Sequence, residues 1–122
     1  MPPAIEELSF DTLESGLAYK VLEAGAGEPI EQKDKVWVHY AGWLPDGTLF
    51  DASYGQDARP FRFKVGKGQV IPGWEEGVQQ LKPGGKAILV IPPELGYGSE
   101  GYPPTIPPNT NLVFIVEVVE VK

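Results

Sequence analysis

Apolar and polar positions alternate with period two over most of this chain, and each such stretch predicts a strand. Leu17, Tyr19 and Val21 alternate with Ala18 and Lys20, and Val36, Val38, Tyr40 and Leu44 share one face of a strand over 36–44. Pro45-Asp46-Gly47-Thr48 is a hairpin turn that sends the chain back through Leu49-Phe50-Asp51. Phe61, Phe63 and Val65 then alternate with Arg62 and Lys64, a pattern that by itself predicts core positions. Two more strands run from Lys86 to Ile91, closed by Pro92-Pro93, and from Leu112 to Val121. The near-continuous apolar run from Leu112 to Val116 predicts a central strand buried on both faces.

The period changes once. In Val70-Ile71-Pro72-Gly73-Trp74-Glu75-Glu76-Gly77, proline opens a helix where the first N–H groups have no intrahelical partner. Glu75 and Glu76 fall in the first turn, where the helix dipole favours negative charge. Trp74, Val78 and Leu81 stand at i, i+4 and i+7, so one face is apolar, and Gly77 leaves room for a close approach. The helix ends before Lys82-Pro83-Gly84-Gly85 and is too short to be stable alone. The spacing of the strands makes the sheet mostly antiparallel, and one twisted sheet wrapped around one short helix is an α+β fold. Gly96 to Pro108 carries three glycines and four prolines and is expected to be a loop.

Length and charge narrow the function. At 122 residues the chain suits a single domain with a real core, and a net charge of −7 argues against nucleic acid as a partner. There are no cysteines and one histidine, His39, so thiolate chemistry, a catalytic triad and a multi-histidine metal site cannot be assembled. His39 stands beside Trp37, on the strand face opposite Val36, Val38 and Tyr40, and a structural or surface role is expected for it. No apolar run approaches membrane-spanning length. Met1-Pro2-Pro3-Ala4 leads into acidic residues rather than a charged and then apolar leader, so no signal peptide and a cytoplasmic location are expected, with export the alternative for an excised domain.

Several separated motifs resemble one family. Val38-His39-Tyr40-Ala41-Gly42, Asp46-Gly47, Phe50-Asp51, Val65-Gly66, the run from Val70 to Gly77, Tyr97-Gly98, Ile106-Pro107-Pro108 and Leu112-Val113-Phe114 occur in the order seen in FKBP-type peptidyl-prolyl isomerases, the immunophilins that bind rapamycin. The resemblance runs from about Gly16 to Lys122. Ser15-Gly16-Leu17-Ala18-Tyr19 and the proline-rich stretch from Leu95 to Pro108 look most like bacterial members. It implies a five- to six-stranded antiparallel half-barrel wrapped around one short helix. Residues 1–14 are then a solvated extension and 15–122 the isomerase domain.

The resemblance also implies a site between helix and sheet. Trp74 is similar to the family's pocket floor, and Tyr40, Phe50, Phe61, Val70, Ile71 and Phe114 to its walls. Asp51 and Tyr97 match two polar rim positions, the Ile71 N–H matches a donor to a ligand carbonyl, and Tyr102 and Ile106 match part of an overhanging loop. Tyr40, Asp51, Trp74 and Tyr97 are the expected catalytic set. Taken without the family, Trp74 is an ordinary core residue, Asp51 a turn or cap residue, and Tyr97 a loop anchor between glycines. Many members carry an arginine that holds the aspartate; here Gln56 or Asp57 stands nearest that position and Arg59 is displaced towards Pro60, which leaves the partner of Asp51 open.

The implied activity is prolyl cis-trans isomerisation in the service of protein folding, with no cofactor and no metal. Expected partners are proline-containing polypeptides and macrolides such as rapamycin, not nucleic acid or membrane, with the chain acting as a monomer. A binding module that holds proline-containing or apolar segments without turning them over is the competing reading. A folding chaperone is a third, and the stretch from Gly96 to Pro108 is too short to hold the inserted domain that role usually requires in this family.

Overall fold

A computed structural model describes residues 9–53 and 59–122. Strands β1 (Asp11–Thr12), β2 (Ala18–Glu23), β3 (Lys35–Trp43), β4 (Leu49–Ala52) and β5 (Phe61–Lys64) precede helix α1 (Pro72–Val78), and β6 (Lys86–Ile91) and β7 (Leu112–Val121) follow it. All pairings are antiparallel, in the order β1-β2-β6-β7-β3-β4, with β5 also on β3. Among the described residues there are seven strands against the expected five to six, yet the sheet is six strands wide. The reason lies in β3, whose one edge takes β5 along Lys35–Val38 and β4 along Ala41–Trp43, one after the other.

The Pro45-Asp46-Gly47-Thr48 turn forms as its sequence predicts. Gly47 adopts φ 92°, its N–H donates to the Leu44 carbonyl, and Leu44 N–H donates to Thr48. β7 lies between β6 and β3. Its first residues, Leu112, Val113 and Phe114, are buried on both faces, whereas Ile115 and Glu117 further along are only half-buried.

Helix α1 is one turn shorter than its apolar pattern. After Val78 the chain tightens, with Gln80 N–H donating to the Gly77 carbonyl and Leu81 N–H to that of Val78. Trp74, Val78 and Leu81 are nonetheless all buried, in one core cluster with Phe63, Leu89 and Val116 of the sheet. Two glycines set how closely the helix sits. A Cβ at Gly73 would lie 2.7 Å from Ile91, and one at Gly77 would lie 2.6 Å from Leu89.

Residues 1–8 of the expected extension lie outside the described residues. Asp11 and Thr12, within its remainder, pair with Tyr19 and Ala18 of β2. At the expected start of the domain, the Ser15 hydroxyl donates to the Glu76 carboxylate on α1. Among the described residues, no helix is long and apolar enough to cross a membrane.

Candidate active site

The aromatic residues of four strands and α1 converge on one cavity. Strand β3 supplies Tyr40, β4 supplies Phe50 and Asp51, β5 supplies Phe61, and β7 supplies Phe114. The segment entering α1 supplies Gln69, Val70 and Ile71, α1 itself supplies Trp74, and Tyr97 comes from the loop after β6. Together these line a cavity of about 230 Å³. Trp74 is 5% exposed, and its ring meets four others edge-on or tilted: Tyr40 at 4.8 Å, Phe114 at 5.3 Å, Phe63 at 5.9 Å and Phe61 at 6.2 Å between centroids. Such edge-to-face packing holds rings more firmly than area alone would.

Gly42 makes room for two of the walls. It pairs with Phe114 across β3 and β7. A Cβ there would stand 2.6 Å from the Phe114 ring and 2.8 Å from Phe50. Those two rings meet at 87° with centroids 5.5 Å apart. The bare backbone of Gly42 is therefore part of the site's shape.

Polar groups gather at the rim. The Tyr40 hydroxyl donates to Asp51 Oδ2 at 2.8 Å, and the Ala52 N–H donates to Asp51 Oδ1 at 2.9 Å. Among the described residues, Tyr40 and Ala52 are the groups that hold the aspartate. Gln56 and Asp57 lie outside the described residues, and Arg59 makes no ion pair with Asp51 among the described ones. Burial first, then the hydrogen bond to Asp51 and the charge of that carboxylate, push the Tyr40 phenol from 10.0 up to about 12. Burial, followed by the charge of Asp51, also raises Tyr97. Both tyrosines thus stay protonated, and remain donors, through neutral and mildly alkaline pH.

The backbone beneath is stitched by Ser53. Its N–H donates to the Tyr40 carbonyl at 2.9 Å, and its hydroxyl accepts the Tyr40 N–H at 2.7 Å. The same hydroxyl lies 3.1 Å from His39 Nδ1, which places the single histidine behind the site rather than in it. Ile71 caps α1 through its carbonyl, and its own N–H donates to no protein acceptor among the described residues. Among the described residues, no three His, Asp or Glu side chains converge to hold a metal ion.

Nine residues expected at the site line one cavity, and two do not. Ile106 is 2% exposed and withdrawn into the core, while Tyr102 is 62% exposed and turns its ring to Tyr97, 5.7 Å away. The cause is local: Tyr102 and Ile106 exchange backbone hydrogen bonds in a small bridge, which folds this loop onto itself. Phe63, expected to be core, is 1% exposed. Gln69 and Gly42 were not singled out by pattern. An exposed glutamine carries no sequence signal, but a glycine inside an otherwise apolar strand does.

The family described as FKBP-type peptidyl-prolyl cis-trans isomerase matches residues 26–119. The chain belongs to the FKBP family. A probable FKBP-type peptidyl-prolyl cis-trans isomerase of Haemophilus influenzae is 50% identical over 111 residues, which span 91% of this chain and 45% of the relative. The FKBP-type isomerase FkpA of Escherichia coli is 50% identical over 117 residues, spanning 96% of this chain and 42% of FkpA. The crystal structure of FkpA from Escherichia coli superposes with a TM-score of 0.86 at 50% identity, covering 96% of this chain and 53% of that one. The peptidyl-prolyl isomerase Fkbp12 of Drosophila melanogaster is 52% identical over 88 residues, 72% of this chain and 81% of the relative. This FKBP chain thus spans less than half the length of the two bacterial relatives.

Proposed function

We propose that this FKBP accelerates cis-trans rotation about Xaa-Pro bonds in polypeptides, assists their folding, and binds macrolides such as rapamycin in the same cavity. The observation that carries the reading is the aromatic cavity closed by Trp74, with Asp51, Tyr97 and Tyr40 at its mouth. The uncatalysed rotation takes tens to hundreds of seconds. Bringing it to about a millisecond needs roughly 10⁴- to 10⁵-fold, or about 5.5–7 kcal/mol of barrier.

No covalent bond breaks, so the protein needs only to favour the twisted imide over the planar one. Twisting removes amide resonance, which makes the carbonyl less negative and the nitrogen more basic. Water stabilises the polar planar form, and a cavity walled by Tyr40, Phe50, Phe61, Phe114 and Trp74 takes that water away. The Tyr97 hydroxyl, kept protonated by burial, donates to a substrate carbonyl, and the Ile71 N–H is a second donor. Asp51, oriented by Tyr40 and Ala52, acts as an electrostatic and orienting group.

The test is isomerisation of short Xaa-Pro peptides with and without rapamycin. Acceleration that the macrolide abolishes is the expected result. Binding of rapamycin with no turnover would reduce the protein to a proline-binding module.

A further inference from the structure

Four buried side chains stand outside the core. Ala41, Trp43, Ile88 and Val113 are 2–8% exposed, yet none belongs to the cluster enclosed by α1 and the sheet. The strand register places them together. Trp43 pairs with Val113, Val113 with Val90, and Val90 with Ala18. In the next row Ala41 pairs with Ile115, Ile115 with Ile88, and Ile88 with Lys20. Cross-strand partners share a face, and Phe114 and Leu89, which alternate with these residues, face the core. The two rows therefore form an apolar strip on the outer face of the sheet, opposite α1. An antiparallel sheet with a solvated outer face carries polar residues there. Lateral neighbours alone leave the tops of such side chains in water, so burial this deep requires a cover.

The described connections pack elsewhere. Ile30, Leu44, Ile71, Leu81, Leu95 and Ile106 all turn to the core cluster. Phe10 differs. Thr12 pairs with Ala18 on the outer face, and alternation puts Phe10 on that same face. Phe10 is half-buried without packing on the core, whereas Leu13 packs on it. The chain thus meets the edge of the strip where residues 1–8 join it.

Those eight residues suit the strip in composition and reach. Met1-Pro2-Pro3-Ala4-Ile5-Glu6-Glu7-Leu8 has six apolar residues and two adjacent carboxylates. Its prolines have no N–H to leave unpaired when a segment crosses a sheet face. Eight extended residues reach about 26–29 Å. From β1 to β3 is four strand spacings, or about 19 Å. Lys20, at the border of the strip, is half-buried and makes no ion pair among the described residues. We propose that residues 1–8 lie across the outer face, with Ile5 and Leu8 covering the strip and Glu6-Glu7 beside Lys20. The N-terminus is then a second, small apolar layer rather than a solvated extension.

The chain has no cysteine, so Ala4→Cys takes a single nitroxide label. Relaxation by such a label falls steeply with distance. Amide signals of Ile88, Val113 and Ile115 are expected to broaden strongly, and those of Trp74 and Val78 on α1 much less. Adding Ile5→Asp and Leu8→Asp to the labelled protein is expected to abolish that contrast and to lower Tm by about 5 °C or more. Equal, weak broadening on both faces would overturn the proposal, as would an unchanged Tm in the double variant. Broadening passed from labelled protein to unlabelled, isotope-enriched protein mixed with it would overturn it too, because a second copy would then be the cover.

Discussion

Adding one methyl group at Gly42 should injure the site more than the fold. An alanine Cβ there would lie 2.6 and 3.0 Å from two atoms of the Phe114 ring and 2.8 Å from Phe50. Carbon atoms settle at about 3.5–4.0 Å, so both rings would have to retreat by roughly an ångström. They stand at 87° to each other, 5.5 Å apart, and Phe114 is backed by Trp74 at 5.3 Å, so neither can slide towards the other or the floor. Rotation or displacement into the cavity is what remains. Overpacking of this kind costs about 1–3 kcal/mol.

The backbone itself does not oppose alanine. Gly42 is absent from the glycines with positive φ, and Gly→Ala at a compatible position favours folding by about 0.4–1 kcal/mol. The net loss should therefore be no more than about 2.6 kcal/mol, a fall of several degrees in Tm. Displacing two walls by about an ångström should lower kcat/KM for an Xaa-Pro peptide by roughly ten- to a hundredfold. The assays are thermal unfolding, peptide isomerisation and rapamycin titration on the same preparation. A Gly42→Ala protein with wild-type kcat/KM and macrolide affinity would refute the claim that these rings define the working cavity.

Trp74→Leu should lower stability by about 2–3 kcal/mol, as a large side chain becomes a smaller one in the core, and should weaken rapamycin binding more than tenfold while some isomerisation survives; unchanged macrolide affinity would contradict its place as floor. Tyr97→Phe should lower kcat/KM only about two- to tenfold with an unchanged Tm, and complete inactivity would point to a different role for that hydroxyl. The raised Tyr40 phenol makes a pH prediction: the folded state holds this proton more tightly than the unfolded state, so its contribution to stability is intact below pH 10 and is lost as pH rises towards 12. The fall in urea midpoint across that window should be smaller in Tyr40→Phe than in wild type, and equal slopes would contradict the environment assigned to this hydroxyl.

Most of the scaffold can be read from pattern because each face of these elements has one environment. Strand β6 and strand β7 match their predicted bounds, and Trp74, Val78 and Leu81 are buried as their spacing requires. What pattern misses depends on contacts between distant segments. That β4 and β5 share one edge of β3 is a matter of where a loop returns, which alternation does not encode. Glu75 reads as a helix-dipole residue, but it also ties down Gly66 and Gly68. The resemblance makes Tyr102 and Ile106 part of an overhanging loop, but that a local backbone bridge buries one and exposes the other is not legible in the sequence. Nor does alternation show that Tyr40 of β3 donates to Asp51 of the neighbouring β4, a contact between strands rather than along the chain.

The proposed catalysis depends on where the proline goes. Isotope-filtered NMR on the protein with an Xaa-Pro peptide reads this directly, through Overhauser contacts between prolyl ring protons and side chains. Contacts to the Trp74 indole and to the Tyr40 and Phe114 rings, displaced by rapamycin, are the predicted result. Accelerated isomerisation with the prolyl ring in contact with other surfaces, and none with Trp74, would contradict it.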